Sequence, residues 1–318
     1  MSDHRKGKRV AFLNLFCGGV GGTAAPVFAE LYATENRPFP CTVVHVDTDP
    51  MAVNGVDMAI NIGLDAEKIA VLKGNPDRFG PHIRTVLERH APYLAKEDVT
   101  NGARTKRGLT QLGFAYHREQ LLRALRKCLL ALKHQGGFDH VIVCIISSSG
   151  GGSGSALQVL LPTALSLDPW FSAQLQEGLG ENLILSTMAF VVEPFGLALR
   201  NRIDQADKIL ANSFAYRLES EWLLARHALK YVIHLGFAND DGAVLDDPLE
   251  IARVLGTSVY QLQLNWEGIK ARIVDNVDQD FDPYGGDDIP ENVSSLARYR
   301  HTISTNGVVT TWSDGGHP

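Results

Sequence analysis

Two runs of small residues hold the chemistry that this sequence offers. The first, Cys17-Gly18-Gly19-Val20-Gly21-Gly22-Thr23-Ala24, follows the apolar run Val10–Phe16. Gly19, Gly21 and Ala24 satisfy the loose GxGxxA fingerprint, in which glycine lets backbone approach a phosphate and the next helix adds its positive end. Asp47 closes a second apolar run, Val43-Val44-His45-Val46, where a dinucleotide-binding unit places its ribose-binding acid. A turn that merely packs strand on helix has the same signature. The second run, Ser147-Ser148-Ser149-Gly150-Gly151-Gly152-Ser153-Gly154-Ser155-Ala156, stands between the apolar run His140–Ile146 and a helical stretch expected to start near Ala156. Its amides and hydroxyls face outward with no side chain to block a ligand, a nest suited to a di- or triphosphate. A linker has this composition too, but linkers do not usually join a buried strand to an apolar helix. No GxxxxGK[ST] occurs, so a metal ion must supply the countercharge that a Walker-type lysine would give.

The elements that must position these runs are strands and helices in alternation. Val10–Phe16, Thr42–Val46, His140–Ile146, Leu183–Val192 and Tyr231–Phe237 are near-continuous apolar stretches ending in Gly, Asp or Ser. With helices between them, they predict an α/β fold: a Rossmann-like parallel sheet covered on both faces. In Tyr116–Lys133, leucines 121, 122, 125, 129 and 132 recur at helical spacing opposite Arg123, Arg126, Lys127 and Lys133, a solvated basic face. The segment from Gly74 to Arg107 has little periodicity and reads as a long connection with short helices. The longest expected helix is Pro248–Val274, capped by Asp247, with Pro248 at its first position and Glu250 completing a capping-box-like pattern. Ala252, Leu255, Val259, Leu262, Trp266, Ile269 and Ile273 form its apolar stripe, which suits a central helix packed on the sheet. A dinucleotide dehydrogenase needs one glycine nest. Two, at the carboxyl ends of different strands, look built to hold a polyphosphate from both sides.

Composition sets the outer limits. A formal net charge of −6 over 318 residues excludes a generally basic nucleic-acid-binding surface. No apolar run reaches the roughly 18 residues of a membrane helix, and the basic start Met1–Arg9 has no cleavage-site pattern behind it. Cys17, Cys41, Cys128 and Cys144 lie far apart in apolar company, which predicts buried free thiols in a reducing cytoplasm and excludes structural zinc. His45, His140 and His234 lie in or beside apolar strands and read as structural.

The sequence resembles the tubulin/FtsZ family of nucleotide-driven polymerising GTPases over roughly residues 9–282. The second run, GGGSGSA, is similar to the family's GGGTGSG or GGGTGTG signature, with Ala156 where a glycine is usual. Asp47-Thr48-Asp49 followed by Ile60-Asn61-Ile62-Gly63 resembles the family's NTDAQAL and IQIG stretches. Asn101-Gly102-Ala103-Arg104 resembles the loop that closes over the terminal phosphate. Glu193-Pro194-Phe195 through Arg202 resembles the KPFxFEGxxR segment. Departures fall on the nucleoside half of the site. Ala198 replaces a ribose-contacting Glu although Arg202 is kept, and Thr23 stands for an Asn that touches the nucleoside. Leu255 and Tyr260 fall near the base-stacking and base-reading positions, counting back from Glu267-Gly268-Ile269. The resemblance therefore implies a nucleotide site formed by Gly18, Gly19, Gly21, Gly22, Thr23, Asp47, Thr48, Gly102, Ala103, Arg104, Ser149, Gly150, Gly151, Gly152, Ser153, Gly154, Ser155 and Arg202. GTP/GDP is the family default, with Mg²⁺.

Beyond the central helix, Asp275-Asn276-Val277-Asp278-Gln279-Asp280-Phe281-Asp282 resembles the NVDFAD loop with which one subunit completes its neighbour's nucleotide site. Asp278 leads when aligned on Asn276-Val277-Asp278, Asp282 leads by ungapped counting, and Asp280 lies between; carboxylates here would polarise or order the attacking water. Residues 1–274 are expected to form the nucleotide-binding domain with its central helix, and 275–318 an acidic loop and short tail. Only 36 residues follow Asp282, whereas the family's second domain needs on the order of 100. The leading expectation is a cytoplasmic nucleoside-triphosphate-binding protein that self-associates head to tail into an oligomer or filament and hydrolyses nucleotide at the junction. The alternatives are a non-hydrolytic nucleotide-sensing module, acting through a protein partner that replaces the second domain, and a Rossmann-type NAD or FAD oxidoreductase.

Overall fold

The structure, a computed structural model, describes residues 10–50, 53–79, 81–94, 103, 105–179, 183–194, 198, 203–236, 245–266 and 298–302. The expected parallel sheet is present. Strands β1 (Val10–Cys17), β2 (Cys41–Asp47), β3 (Met58–Asn61), β4 (His140–Ser148), β5 (Ile184–Val192), β6 (Tyr231–Gly236) and β7 (Arg298–Thr302) lie in the order β3-β2-β1-β4-β5-β6-β7. Every ladder is parallel. All residues of β1, β2 and β4 are buried, as their unbroken apolar runs require of strands covered on both faces. Two edge strands had no such signature. β3 buries only Ile60, and β7 is Arg-Tyr-Arg-His-Thr, a polar strand from the segment read as a tail.

Side chains alternate between two helical layers. Phe12 and Phe16 of β1 pack with helices α1 (Gly18–Thr34) and α9 (Pro248–Leu264) on one face. Leu13, Leu15 and Cys17 face α5 (Arg118–Gln135), α6 (Gly152–Pro162) and α7 (Pro169–Gln176) on the other. Helix α8 (Ile203–Ala225) covers β5 and β6 on that second face through Tyr216, Leu223 and Leu224. A satellite cluster joins α2 (Ala66–Gly74), α3 (Pro81–Leu94) and α4 (Arg107–Tyr116); of the segment between Gly74 and Arg107 the described part holds the turn Pro76–Phe79 and the 14-residue α3.

The central helix starts as its sequence dictates. Asp247 Oδ1 accepts from the amides of Leu249 (2.8 Å) and Glu250 (3.3 Å), while the Glu250 carboxylate pairs with Arg253 at 2.6 Å instead of turning back. The described helix runs Pro248–Leu264, with Asn265 bonded through its backbone and side chain to the Gln261 carbonyl; residues 267–274 of the expected helix lie outside the described residues. A buried amide pair keys it to the sheet. Gln263 Nε2 donates to Asn14 Oδ1 at 2.6 Å and Asn14 Nδ2 returns to Gln263 Oε1 at 3.1 Å. All four cysteines are buried free thiols. No helix among the described residues is long and apolar enough to cross a membrane.

Candidate functional site

Parallel pairing brings the carboxyl ends of β1 and β4 side by side, with Phe16 opposite Ile146. From β1 the chain runs to β2 on one flank, and from β4 to β5 on the other. The order reverses between these two strands, which is where open parallel sheets form a ligand crevice. Both glycine runs stand at this point. Neither is a long loop: α1 opens at Gly18, straight from the strand, and α6 opens at Gly152, four residues before the expected start at Ala156.

Neither of these two helix starts is capped by a side chain, a trait shared with α4 and α5 but not with three other helices. Asp65, Asp168 and Asp247 cap α2, α7 and α9 with side-chain hydrogen bonds. Cys17 (φ −114°, ψ 133°) and Gly151 (φ −74°, ψ 167°) are extended N-cap residues that give their helices no side-chain bond. Roughly the first four amides of each helix lack an intrahelical partner, and each end carries about half a positive charge. The ends also converge. A Cβ on Gly18, whose φ is +68°, would lie 2.8 Å from Gly154 N and 3.4 Å from Ser153 Cβ, so only glycine lets the two backbones meet. A Cβ on Gly19 or Gly151 would meet nothing within 4 Å. Those two positions line open space.

The strand β2 contributes a clamp. Thr48 Oγ1 accepts the Ala103 amide at 2.8 Å and lies 2.7 Å from Ser153 Oγ, tying the segment before α4 to the first turn of α6. Asp47 Oδ1 accepts the Thr48 amide at 2.6 Å. Most hydroxyls expected to face a ligand already have protein partners. Ser155 donates to Gly151 O, Thr23 to Gly19 O at 2.9 Å, and Ser149 Oγ lies 2.9 Å from Ser213 Oγ. The Ser149 and Gly150 amides are engaged too, by Val192 O and Ser148 Oγ, so the donors to consider are the first-turn amides of α1 and α6, which no side chain caps.

Burial governs the titratable groups here. His45 lies under the edge with Nε2 4.0 Å from Asp47 Oδ2; burial lowers its pKa, against the pull of Asp47, the Gly18 backbone and Asp49. Burial first, and then the Asp47 charge, pushes the Cys17 thiol well above its ordinary range. It is therefore no thiolate nucleophile, despite standing at a helix N-terminus.

Of the expected nucleotide residues, Gly18, Gly19, Gly21, Gly22, Thr23, Asp47, Thr48, Ala103 and Ser149 through Ser155 belong to this edge. Gly102, Arg104, Arg202 and the acidic residues Asp278, Asp280 and Asp282 lie outside the described residues. Leu255 and Tyr260 are fully buried between α1 and α9, with Tyr260 5.9 Å from the Phe28 ring. They are core residues. Among the described residues no cluster of three or more His, Cys, Asp or Glu could hold a metal ion. Asn212 on α8 was not foreseen: its Nδ2 donates to Thr105 O at 2.9 Å and Gly150 O at 3.0 Å. No local pattern could reveal it, because Gly150 and Asn212 are 62 positions apart.

Fold and edge together define a Rossmann-like α/β protein whose switch point is walled by two glycine-led helix starts. No family model matches the chain, and no curated protein matches it. Solved structures of CetZ proteins, of the tubulin/FtsZ family, are similar to it. CetZ2 from Haloferax volcanii, as a GTPγS-bound protofilament, is 14% identical over 84% of this chain and 62% of its own, with a TM-score of 0.49. CetZ1 from the same organism, a GDP-bound monomer, is 12% identical over 91% of this chain and 64% of its own, with a TM-score of 0.42. CetZ from Methanosaeta thermophila is 13% identical over 93% and 63%, with a TM-score of 0.44. The chain thus spans about three fifths of the length of the structures it matches. At these values the likeness carries no argument about activity.

Proposed function

We propose that this chain binds a nucleoside triphosphate at the β1/β4 switch point, assembles head to tail with further copies and hydrolyses the nucleotide at the junction. One observation carries the binding half: two uncapped helix starts meet at Gly18 and Gly154 beside open space at Gly19 and Gly151. The amides of both helices would hold the phosphates from two sides. Two helix ends amount to roughly one positive charge, less than a triphosphate carries, so Mg²⁺ on the phosphates would bring the remainder. Asp47 and Thr48 stand at the end of the neighbouring strand, where a ribose hydroxyl or a metal-bound water would find an acceptor.

Assembly and hydrolysis rest on the resemblance. Asp278, Asp280 and Asp282 would come from the next copy and order the attacking water. Residues 275–288 hold six Asp and no Lys or Arg, so this loop would meet the nucleotide through Mg²⁺ rather than directly. Guanine is the base by resemblance, as in the nucleotides named for the two Haloferax structures. The deciding measurement is hydrolysis per subunit against protein concentration, with mass-spectrometric identification of any co-purifying nucleotide. A shared site requires activity to rise with concentration. Activity independent of concentration sinks the shared site, and co-purified NAD sinks the triphosphate reading altogether.

A further inference from the structure

The second glycine run can present its amides only if its peptide planes face the right way. Glycine peptides turn over readily, because no Cβ restricts them. Something must therefore hold the Gly150–Gly151 and Gly151–Gly152 planes. No peptide among the described residues is cis, so each carbonyl points opposite the amide of the residue that follows. Fixing the Gly150 carbonyl on one side aims the Gly151 amide to the other.

Asn212 is placed to do this. Its Nδ2 donates to Gly150 O at 3.0 Å and Thr105 O at 2.9 Å, with Gly151 O at 3.5 Å. All three neighbours are carbonyl oxygens, so the side-chain amide must turn its NH₂ to them. Ser155 holds the Gly151 carbonyl as well, and Ser213, the next residue of α8, lies 2.9 Å from Ser149. The Gly150 carbonyl, and at longer reach that of Gly151, is thus turned toward α8, and the Gly151 amide is turned away from it. Thr105 on the same NH₂ group ties the start of α4 to this arrangement.

We propose that Asn212 is a positioning residue for polyphosphate recognition: it locks the Gly150 carbonyl on the α8 side and so aims the Gly151 amide at the ligand. The assignment rests on the triphosphate reading. It touches no phosphate itself. An apolar isostere would leave the planes free to turn, whereas a carboxylate would attract the amides and turn them from the phosphate.

The test uses the full chain and two probes, GTPγS and inorganic tripolyphosphate, in titration calorimetry. Asn212→Leu is expected to weaken both at least tenfold and Asn212→Asp further, while melting without ligand stays within a few degrees of wild type. A purely structural tie gives the opposite split, with melting lowered and the affinity of the folded protein unchanged, and that result overturns the assignment. Should the Asp variant fail to fold, Asn212→Ala is judged by the same two readings. Gly151→Val runs alongside. If it abolishes binding while the Asn212 variants bind as wild type, the Asn212 assignment alone falls. If it binds as wild type, or if wild type binds neither probe, the triphosphate reading falls and takes this one with it.

Discussion

Valine at position 151 separates a ligand's space from the protein's own. The backbone there, φ −74° and ψ 167°, is extended and suits a β-branched residue, and a Cβ would touch no protein atom within 4 Å. The ligand-free fold should therefore change by no more than about 0.5 kcal/mol. An isopropyl group on the open side would deny a phosphate the amides of residues 151 and 152. Hydrogen bonds to charged groups contribute about 1.5–3 kcal/mol each, so the loss is about 3 kcal/mol or more. At about 1.4 kcal/mol per tenfold, Gly151→Val should raise the Kd at least about a hundredfold. Calorimetry with GTPγS measures this, beside thermal melting without nucleotide. Gly18→Ala is the contrast: its methyl would lie 2.8 Å from Gly154 N at a φ of +68°. The left-handed backbone alone costs about 1–2 kcal/mol, so this variant should melt at least a few degrees lower even without ligand. Unchanged affinity in Gly151→Val, with melting as in wild type, would refute the phosphate site.

Four more expectations have equally direct readings. Replacing Asp278, Asp280 and Asp282 together by Asn should leave nucleotide binding intact and suppress turnover, and mixing this protein with Gly151→Val should restore activity at junctions that pair an intact loop with an intact run. Since Leu255 and Tyr260 are buried in the core, ATP should compete with GTP within about a thousandfold, because a pocket without hydrogen bonds to the base discriminates poorly. Gln263→Leu should destabilise the protein by about 1–3 kcal/mol in urea denaturation by stranding the buried Asn14 amide, and adding Asn14→Leu should recover part of the loss. Burial holds the His45 pKa below its ordinary value, so the stability it confers is full above about 6.5 and declines as pH falls toward the native value. Melting of His45→Gln should show a shallower decline between pH 7 and 5.

The sheet was legible because five of its strands run through the interior and so are mostly apolar, with isolated polar residues such as Asn14 and His45. β3 and β7 were not, since an edge strand pairs through its backbone on one side and can be polar in sequence. Helix α8 was obscured by its outer face, where Leu210, Phe214, Leu218 and Trp222 are exposed and blur the contrast on which periodicity depends. The glycine runs announced the edge, but the sequence read them as loops. Small residues leave no signal that distinguishes a turn from the first turn of a helix. Serine hydroxyls looked like ligand donors until their partners were visible, and Asn212 depends on a contact across the fold.

The bare start of α6 has a consequence for how this protein can change. An aspartate at position 151 would fit the open space and the extended backbone, and as an N-cap it improves on glycine by a few tenths of a kcal/mol. Its carboxylate would sit where an anionic ligand's oxygen is proposed to sit. Heat resistance and ligand affinity therefore pull this one position in opposite directions. A lineage selected only for surviving high temperature would drift toward filling the gap from within, and would give up its ligand by becoming a sturdier fold.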